Sequence, residues 1–160
     1  MAVLYYLPSS FFLLPTTISL KKSMGSCTIV CMNIVADTNI FLAVALDEPE
    51  KEHIIQITSG INLISPEILP YEVGNALSAM VKRKQLTPEE ALQAEQKTCS
   101  IPVRLVAVDV QKALKLAIKF NIYAYDAYFL HCTKSLKYPL FTFDKHMKQV
   151  ASELNIEMLE

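Results

Sequence analysis

The strongest constraint in this sequence is a rhythm. Short apolar runs of strand length recur along the chain, most closed by a polar residue or a proline and each followed by one or two stretches of helical periodicity. The runs are "NIVAD" at 33–37, "NLISP" at 62–66, "VRLVAV" at 103–108 and "PLFTF" at 139–143, with "IEML" at 156–159 expected as a last short strand. Between them, helices are expected from about Thr38 to Leu46, Glu50 to Ser59 (stopping near Gly60) and Glu67 to Lys84. Pro70 must then sit in the first turn of the third helix or kink it. Thr87-Pro88-Glu89-Glu90 has the form of a helix start, with Thr as N-cap, Pro next and Glu placed to reach back, and this helix runs to about Cys99. Further helices are expected from Asp109 to about Asn121, from Tyr125–Asp126 to about Leu136, and from Asp144 to Leu154. Strands alternating with helices specify an α/β fold with a mainly parallel sheet covered on both faces. In such sheets ligands sit beyond the carboxyl ends of the strands.

That rule singles out acids. Asp37 follows the first strand and Asp144 follows "LFTF"; Glu72 lies early in the helix after "NLISP", and Asp126 opens the helix after "NIYAY". If they converge, their mutual repulsion forces one to keep a proton or draws in a cation. A set of oxygen ligands without His or Cys suits Mg²⁺ or Mn²⁺ rather than Zn²⁺. Such an ion lowers the pKa of bound water and neutralises charge developing on a phosphodiester. Each acid also has an ordinary explanation. Asp37, Asp144 and Asp126 are all placed to cap helices, and an isolated Glu72 reads as a solvated helix residue.

The charge balance restricts how a polyanion could be held. Residues 32–160 carry 13 Lys and Arg against 16 Asp and Glu, a net −3, so the domain has no bulk positive field to attract one. Local contacts must serve instead. Lys82-Arg83-Lys84 is the densest basic run and a candidate for RNA phosphate contacts, although cations at a helix C-terminus also satisfy its dipole. His146 falls two residues after Asp144 and reads as a surface residue. Tyr123, Tyr125 and Tyr128 are candidates for base stacking or, at helical spacing beside Phe129 and Leu130, for core packing. Apolar richness in "IFLAVAL" and Leu69–Val81 is open to core burial or to an exposed partner surface. The four cysteines have no zinc-site spacing and read as reduced, packed thiols.

Residues 1–31 are expected to lie outside the domain. Their apolar run is interrupted by Pro8 and Pro15 and has no basic residue before it, which suits neither a secretory signal nor a membrane span. Met32 reads as the working start, with 1–31 a misassigned or disordered N-terminal extension and 32–160 the domain.

Four segments in order, "MNIVADTNIFL", "PEILPYEVGNAL", "IYAYDAYFLHC" and "LFTFDKHM", resemble PIN domains, in particular the VapC-like toxins of type II toxin–antitoxin pairs. The resemblance spans Met32 to about Glu160. It implies a three-layer α/β/α sandwich and a cytoplasmic, Mg²⁺-dependent endoribonuclease (Mn²⁺ as substitute) that leaves a 5′-phosphate and a 3′-hydroxyl. Carried over motif by motif, Asp37, Glu72, Asp126 and Asp144 are the catalytic, metal-binding acids. Thr38 and Asn75 are supporting residues, with Thr38 ordering the pocket and Asn75 supporting Glu72. The implied partners are an RNA substrate, a cognate antitoxin and a second copy of the chain. Two other roles fit the same residues: a housekeeping RNA-processing nuclease without an antitoxin, and a non-catalytic module that binds RNA or protein.

Overall fold

The computed structural model describes residues 32–159. The expectations for 1–31 lie outside the described residues. Four strands form one sheet: β1 (Asn33–Ala36), β2 (Asn62–Pro66), β3 (Arg104–Val106) and β4 (Leu140–Phe141). Their order is β3-β2-β1-β4, and every pairing is parallel. Seven helices connect and cover them among the described residues: α1 (Thr38–Ala45), α2 (Lys51–Thr58), α3 (Leu69–Lys82), α4 (Pro88–Ser100), α5 (Val110–Phe120), α6 (Ala124–Leu136) and α7 (Lys145–Glu153).

Alternation along the strands sorts side chains between two cores. Ile34 and Ala36 of β1, with Phe141 of β4, pack with Ile40, Phe41, Leu69, Val73 and Leu77 on the α1–α4 side. Val35 and Leu140 point the other way, against Phe129, Leu130 and Cys132 of α6 and Met147 and Val150 of α7. α5 packs on α6 through Ala113, Ala117 and Ala127. This is a sheet between two helical layers, as expected.

Local signals set many of the boundaries. Thr87 and Glu90 form the reciprocal capping box, Pro70 occupies the first turn of α3, and Gly60 takes the left-handed conformation (φ +76°) after α2. Asp109 caps α5 through the Lys112 amide. Cys99 and Cys132 are free thiols, the latter buried. "IFLAVAL" and Leu69–Val81 mostly face the cores, so burial, rather than an exposed surface, accounts for their apolar character. Among the described residues no helix is long and apolar enough to cross a membrane.

Several expectations are corrected. The strand at "VRLVAV" is confined to Arg104–Val106. "PLFTF" yields a strand only at Leu140–Phe141, and past it the Thr142 hydroxyl accepts the Asp144 amide, a local side-chain-to-backbone bond that competes with the ladder. "IEML" forms a single parallel bridge, Leu140 with Met158, rather than a strand. Asp126 is not an N-cap: Tyr123 holds that position, and Asp126 lies in the first turn of α6.

Candidate active site

The strand order creates one privileged place. The chain moves outward from β1 to β2 to β3, then returns to add β4 on the opposite side of β1. The crevice beyond the carboxyl ends of β1 and β4 is therefore the topological switch point, where open α/β sheets take their ligands. Asp37 directly follows β1, and Asp144 lies three residues beyond β4.

Asp37 is 6% exposed and firmly held. Its Oδ1 accepts the Thr38 amide at 2.7 Å, and its Oδ2 accepts the Asn39 amide side chain at 2.6 Å and the Thr142 hydroxyl at 2.7 Å. A carboxylate has about four acceptor positions, so three donors leave roughly one for a further ligand. Burial pushes the Asp37 carboxyl up to about 6 against the pull of its Thr142 and Thr38 hydrogen bonds, and the charges of Asp126 and Asp144 add to the rise. The capping and ligand readings of Asp37 are thus compatible.

Thr38 links the next acid. Its hydroxyl donates to Glu72 Oε2 at 2.6 Å, bringing the first turn of α3 to the end of β1. Burial raises Glu72 to about 7, opposed by the Thr38 bond and reinforced by Asp37 and Asp126. Asp126 is half-buried and also raised, by burial and then by Asp144, while His146 works in the opposite direction. Asp144 caps α7, its Oδ1 accepting the Met147 amide at 2.7 Å. His146 is exposed, as expected of a surface residue, yet close enough for its charge to be felt at Asp126.

The four acids therefore share one electrostatic neighbourhood. Among the described residues the ion pairs engage Asp47 and Asp109, and none engages these four. No three His, Cys, Asp or Glu side chains of the described residues are drawn together into a ready-made metal cluster. The donor set nevertheless fits a hard divalent cation: all its donor atoms are oxygen, and among the described residues no lysine or arginine forms an ion pair with it.

Other assignments are distributed differently. Asn75 is exposed on α3, and the hydrogen bond to Glu72 comes from Thr38 instead. Lys82, Arg83 and Lys84 lie at the opposite end of α3 from Glu72, about 15 Å along the helix axis, with Lys82 in its last turn. Tyr123 and Tyr125 are exposed, so core packing holds only for the half-buried Tyr128.

Two residues have larger roles here than the sequence suggests. Asn39 bonds Asp37, Thr142 and, through Oδ1, the Phe143 amide. Thr142 donates to Asp37 and accepts the Asp144 amide at 3.0 Å, so one hydroxyl ties two of the acids together. The available signal was a lone hydroxyl within the apolar run Leu140–Phe143.

The PIN domain family model matches residues 34–153, and the chain belongs to that family. Solved structures share the fold. PAE2754 from Pyrobaculum aerophilum aligns with a TM-score of 0.59 at 19% identity, over 79% of this chain and 96% of that one. A chain of VapBC2 from Rickettsia felis, crystallised bound to a DNA fragment from the VapBC2 promoter, aligns with a TM-score of 0.58 at 12% identity, over 80% and 98%. No curated protein is detectably similar in sequence.

Proposed function

We propose that this protein is a metal-dependent endoribonuclease that hydrolyses RNA phosphodiester bonds and acts as the toxin of a type II toxin–antitoxin pair. One observation carries the reading: Thr142 ties Asp37 to the Asp144 amide at the switch point of a parallel sheet and Thr38 ties in Glu72, with Asp126 in the same electrostatic neighbourhood, and among the described residues no ion pair engages any of these four acids. PIN domains are generally metal-dependent nucleases, and membership of that family supports the same chemistry. Asp37, Glu72, Asp126 and Asp144 would hold Mg²⁺, or Mn²⁺ in its place. When bound, the ion supplies an acidified water and positive charge at the phosphate.

The chain's own residues prepare that site. Asn39 and Thr142 fix the Asp37 carboxylate, Thr142 orders the backbone before Asp144, and Thr38 orients Glu72. Asn75 is the remaining supporting residue of the proposal. Lys82, Arg83 and Lys84 would meet RNA well away from the cut bond, as non-selective phosphate contacts.

The antitoxin assignment draws support from the fold shared with VapBC2. A protein partner, whether antitoxin or a second copy of the chain, is supported by the exposed aliphatic stripe Val110, Leu114 and Ile118 on α5. Cytoplasmic location belongs to the same reading. An antitoxin gene adjacent to this one separates the toxin from a housekeeping nuclease.

The test is RNA cleavage by the purified full-length chain in Mg²⁺ or Mn²⁺, in EDTA, and by Asp126→Asn. The expected result is cutting that requires the metal and disappears in the variant. Equal cutting by variant and wild type would place the activity elsewhere.

A further inference from the structure

The two edges of the sheet are finished differently. At one edge β4 is closed by the segment that follows α7. The Leu140 amide donates to the Glu157 carbonyl and the Leu159 amide to the Leu140 carbonyl, each at 2.8 Å, around the Leu140–Met158 bridge. At the other edge stands β3, paired only with β2. The Glu67 amide donates to the Val106 carbonyl at 2.9 Å. Val106 and Arg104 therefore turn their backbone groups to β2, and by alternation Val103, Leu105 and Ala107 turn theirs outward. Among the described residues no turn, loop or cap hydrogen bond reaches the backbone of these three.

Open edges are commonly blunted by lysines, bulges, inward charges or sheer shortness. Shortness is the device here. Val103, Leu105 and Ala107 carry no charge, and Arg104 shares the opposite face of the strand with Val106. Beside the edge, moreover, lies an apolar cleft of about 70 Å³. It is lined by Leu69 and Val73 of α3, Thr98 and Cys99 of α4, and Val103 and Leu105. That volume is far below what a small-molecule site needs and suits a single side chain. A strand laid on β3 runs about 4.8 Å outside it and sends every second side chain to the face that Val103 and Leu105 share.

The surroundings define the occupant. A row of outward amides and carbonyls is matched by another extended backbone, with alternate side chains entering pockets on one face. Two acids flank the place: Glu95 lines the cleft, and Glu67 follows the end of β2 beside Val106. Both are exposed, and among the described residues neither joins an ion pair. We propose that β3 is a docking edge for an extended peptide of a partner protein. The peptide adds a fifth strand through the backbone of Val103, Leu105 and Ala107, seats one small aliphatic side chain in the α3–α4 cleft, and presents Lys or Arg to Glu95 and Glu67. This surface is separate from the four acids and does not depend on the nuclease reading.

The experiment selects a phage-displayed library of random dodecapeptides on the immobilised full-length chain, then measures the enriched peptide made synthetically with a fluorescent label. Selection is expected to enrich a Val, Ile or Leu within an extended run flanked by Lys or Arg. Ala107→Pro removes one outward donor at an exposed position and keeps the β2 ladder, so binding should weaken about fivefold. Cys99→Trp fills the cleft and should weaken it about tenfold or more. Glu95→Gln should cost about two- to fivefold, less at high salt. Bound peptide should slow hydrogen exchange of the amides in 103–107. No enrichment over the bare support overturns the proposal, as does an enriched peptide indifferent to both Ala107→Pro and Cys99→Trp. Slow exchange of 103–107 in the free chain also overturns it. If that protection survives dilution, the chain itself covers the edge; if dilution removes it, a second copy does.

Discussion

Two aspartates stand at the two ends of α1 and have opposite fates. Asp37, before the first turn, is buried, is met by neutral donors and by other acids, and is pushed up to about 6. Asp47, just past the last turn, is exposed between Lys51 at 2.5 Å and Lys97 at 2.7 Å, and these hydrogen bonds lower it to about 2. Asp47 also takes a left-handed conformation, φ 58°, which Asp tolerates better than most residues. The same side chain is charge-balanced by the chain at one end of the helix and left unbalanced at the other. Acids that the fold leaves short of positive charge are the ones available to something outside it.

The largest expected difference between the two ends is catalytic. Under the proposed function, Glu72→Gln and Asp126→Asn each lower RNA cleavage by about a thousandfold or more, whereas Asp47→Asn leaves the rate unchanged. A comparable loss from Asp47→Asn, in the same fluorescent-RNA assay, would break the comparison.

Thr142→Val tests the middle range. It removes the hydroxyl joining Asp37 to the Asp144 amide, and cleavage is expected to fall about 10- to 100-fold, with a stability loss of about 1–3 kcal/mol. Thr142→Ser keeps the hydroxyl and should recover most of both, as read by kinetics and urea unfolding.

The pH dependence of stability sharpens the contrast. A carboxyl raised by folding binds its proton more tightly in the native state, so its contribution is full at low pH and is lost as pH climbs through the folded value. For Asp37 and Glu72, metal-free stability should fall between about pH 4 and pH 7, by roughly 2–4 kcal/mol in sum after discounting the partial exposure of Glu72. Glu72→Gln should flatten that slope, and Mg²⁺ should restore stability at pH 7.5 by binding the native state. Asp47 has the opposite sign: its contribution is present above the ordinary carboxylate range and is lost as pH falls toward about 2. Denaturant unfolding across pH, with and without EDTA, separates the two.

The smallest effect concerns Asp47 itself. Asp47→Asn should lower Tm only slightly, by an amount that shrinks at high salt, because exposed ion pairs are screened. A calorimetric scan at two salt concentrations suffices.

Element positions were legible because their signals are local. The Thr87–Glu90 capping box, Pro70 in a first turn and the paired apolar faces of β1 each depend on neighbours a few residues away. The four acids were legible too, as motifs following strands or opening helices. Less legible was what each acid would meet. Asp37 and Thr142 are 105 residues apart, and Thr38 and Glu72 are 34 apart; no spacing within either segment encodes those bonds. The short β4 misled as well: past Phe141 the Thr142 hydroxyl takes the Asp144 amide, and the same hydroxyl meets Asp37 only once β1 and β4 are paired.

Sequence by itself determined the alternation of strands and helices, hence a parallel sheet with acids at its carboxyl edge, because backbone propensity and side-chain periodicity act over one or two turns. Tertiary structure decided that β4 returns beside β1 and places Asp37 and Asp144 at the switch point. It also decided that burial and mutual repulsion raise Glu72 and Asp126 while two lysines calm Asp47, and that Tyr123 and Tyr125 face water rather than the core. Burial and charge coupling depend on distances between segments, which are settled only when the layers pack.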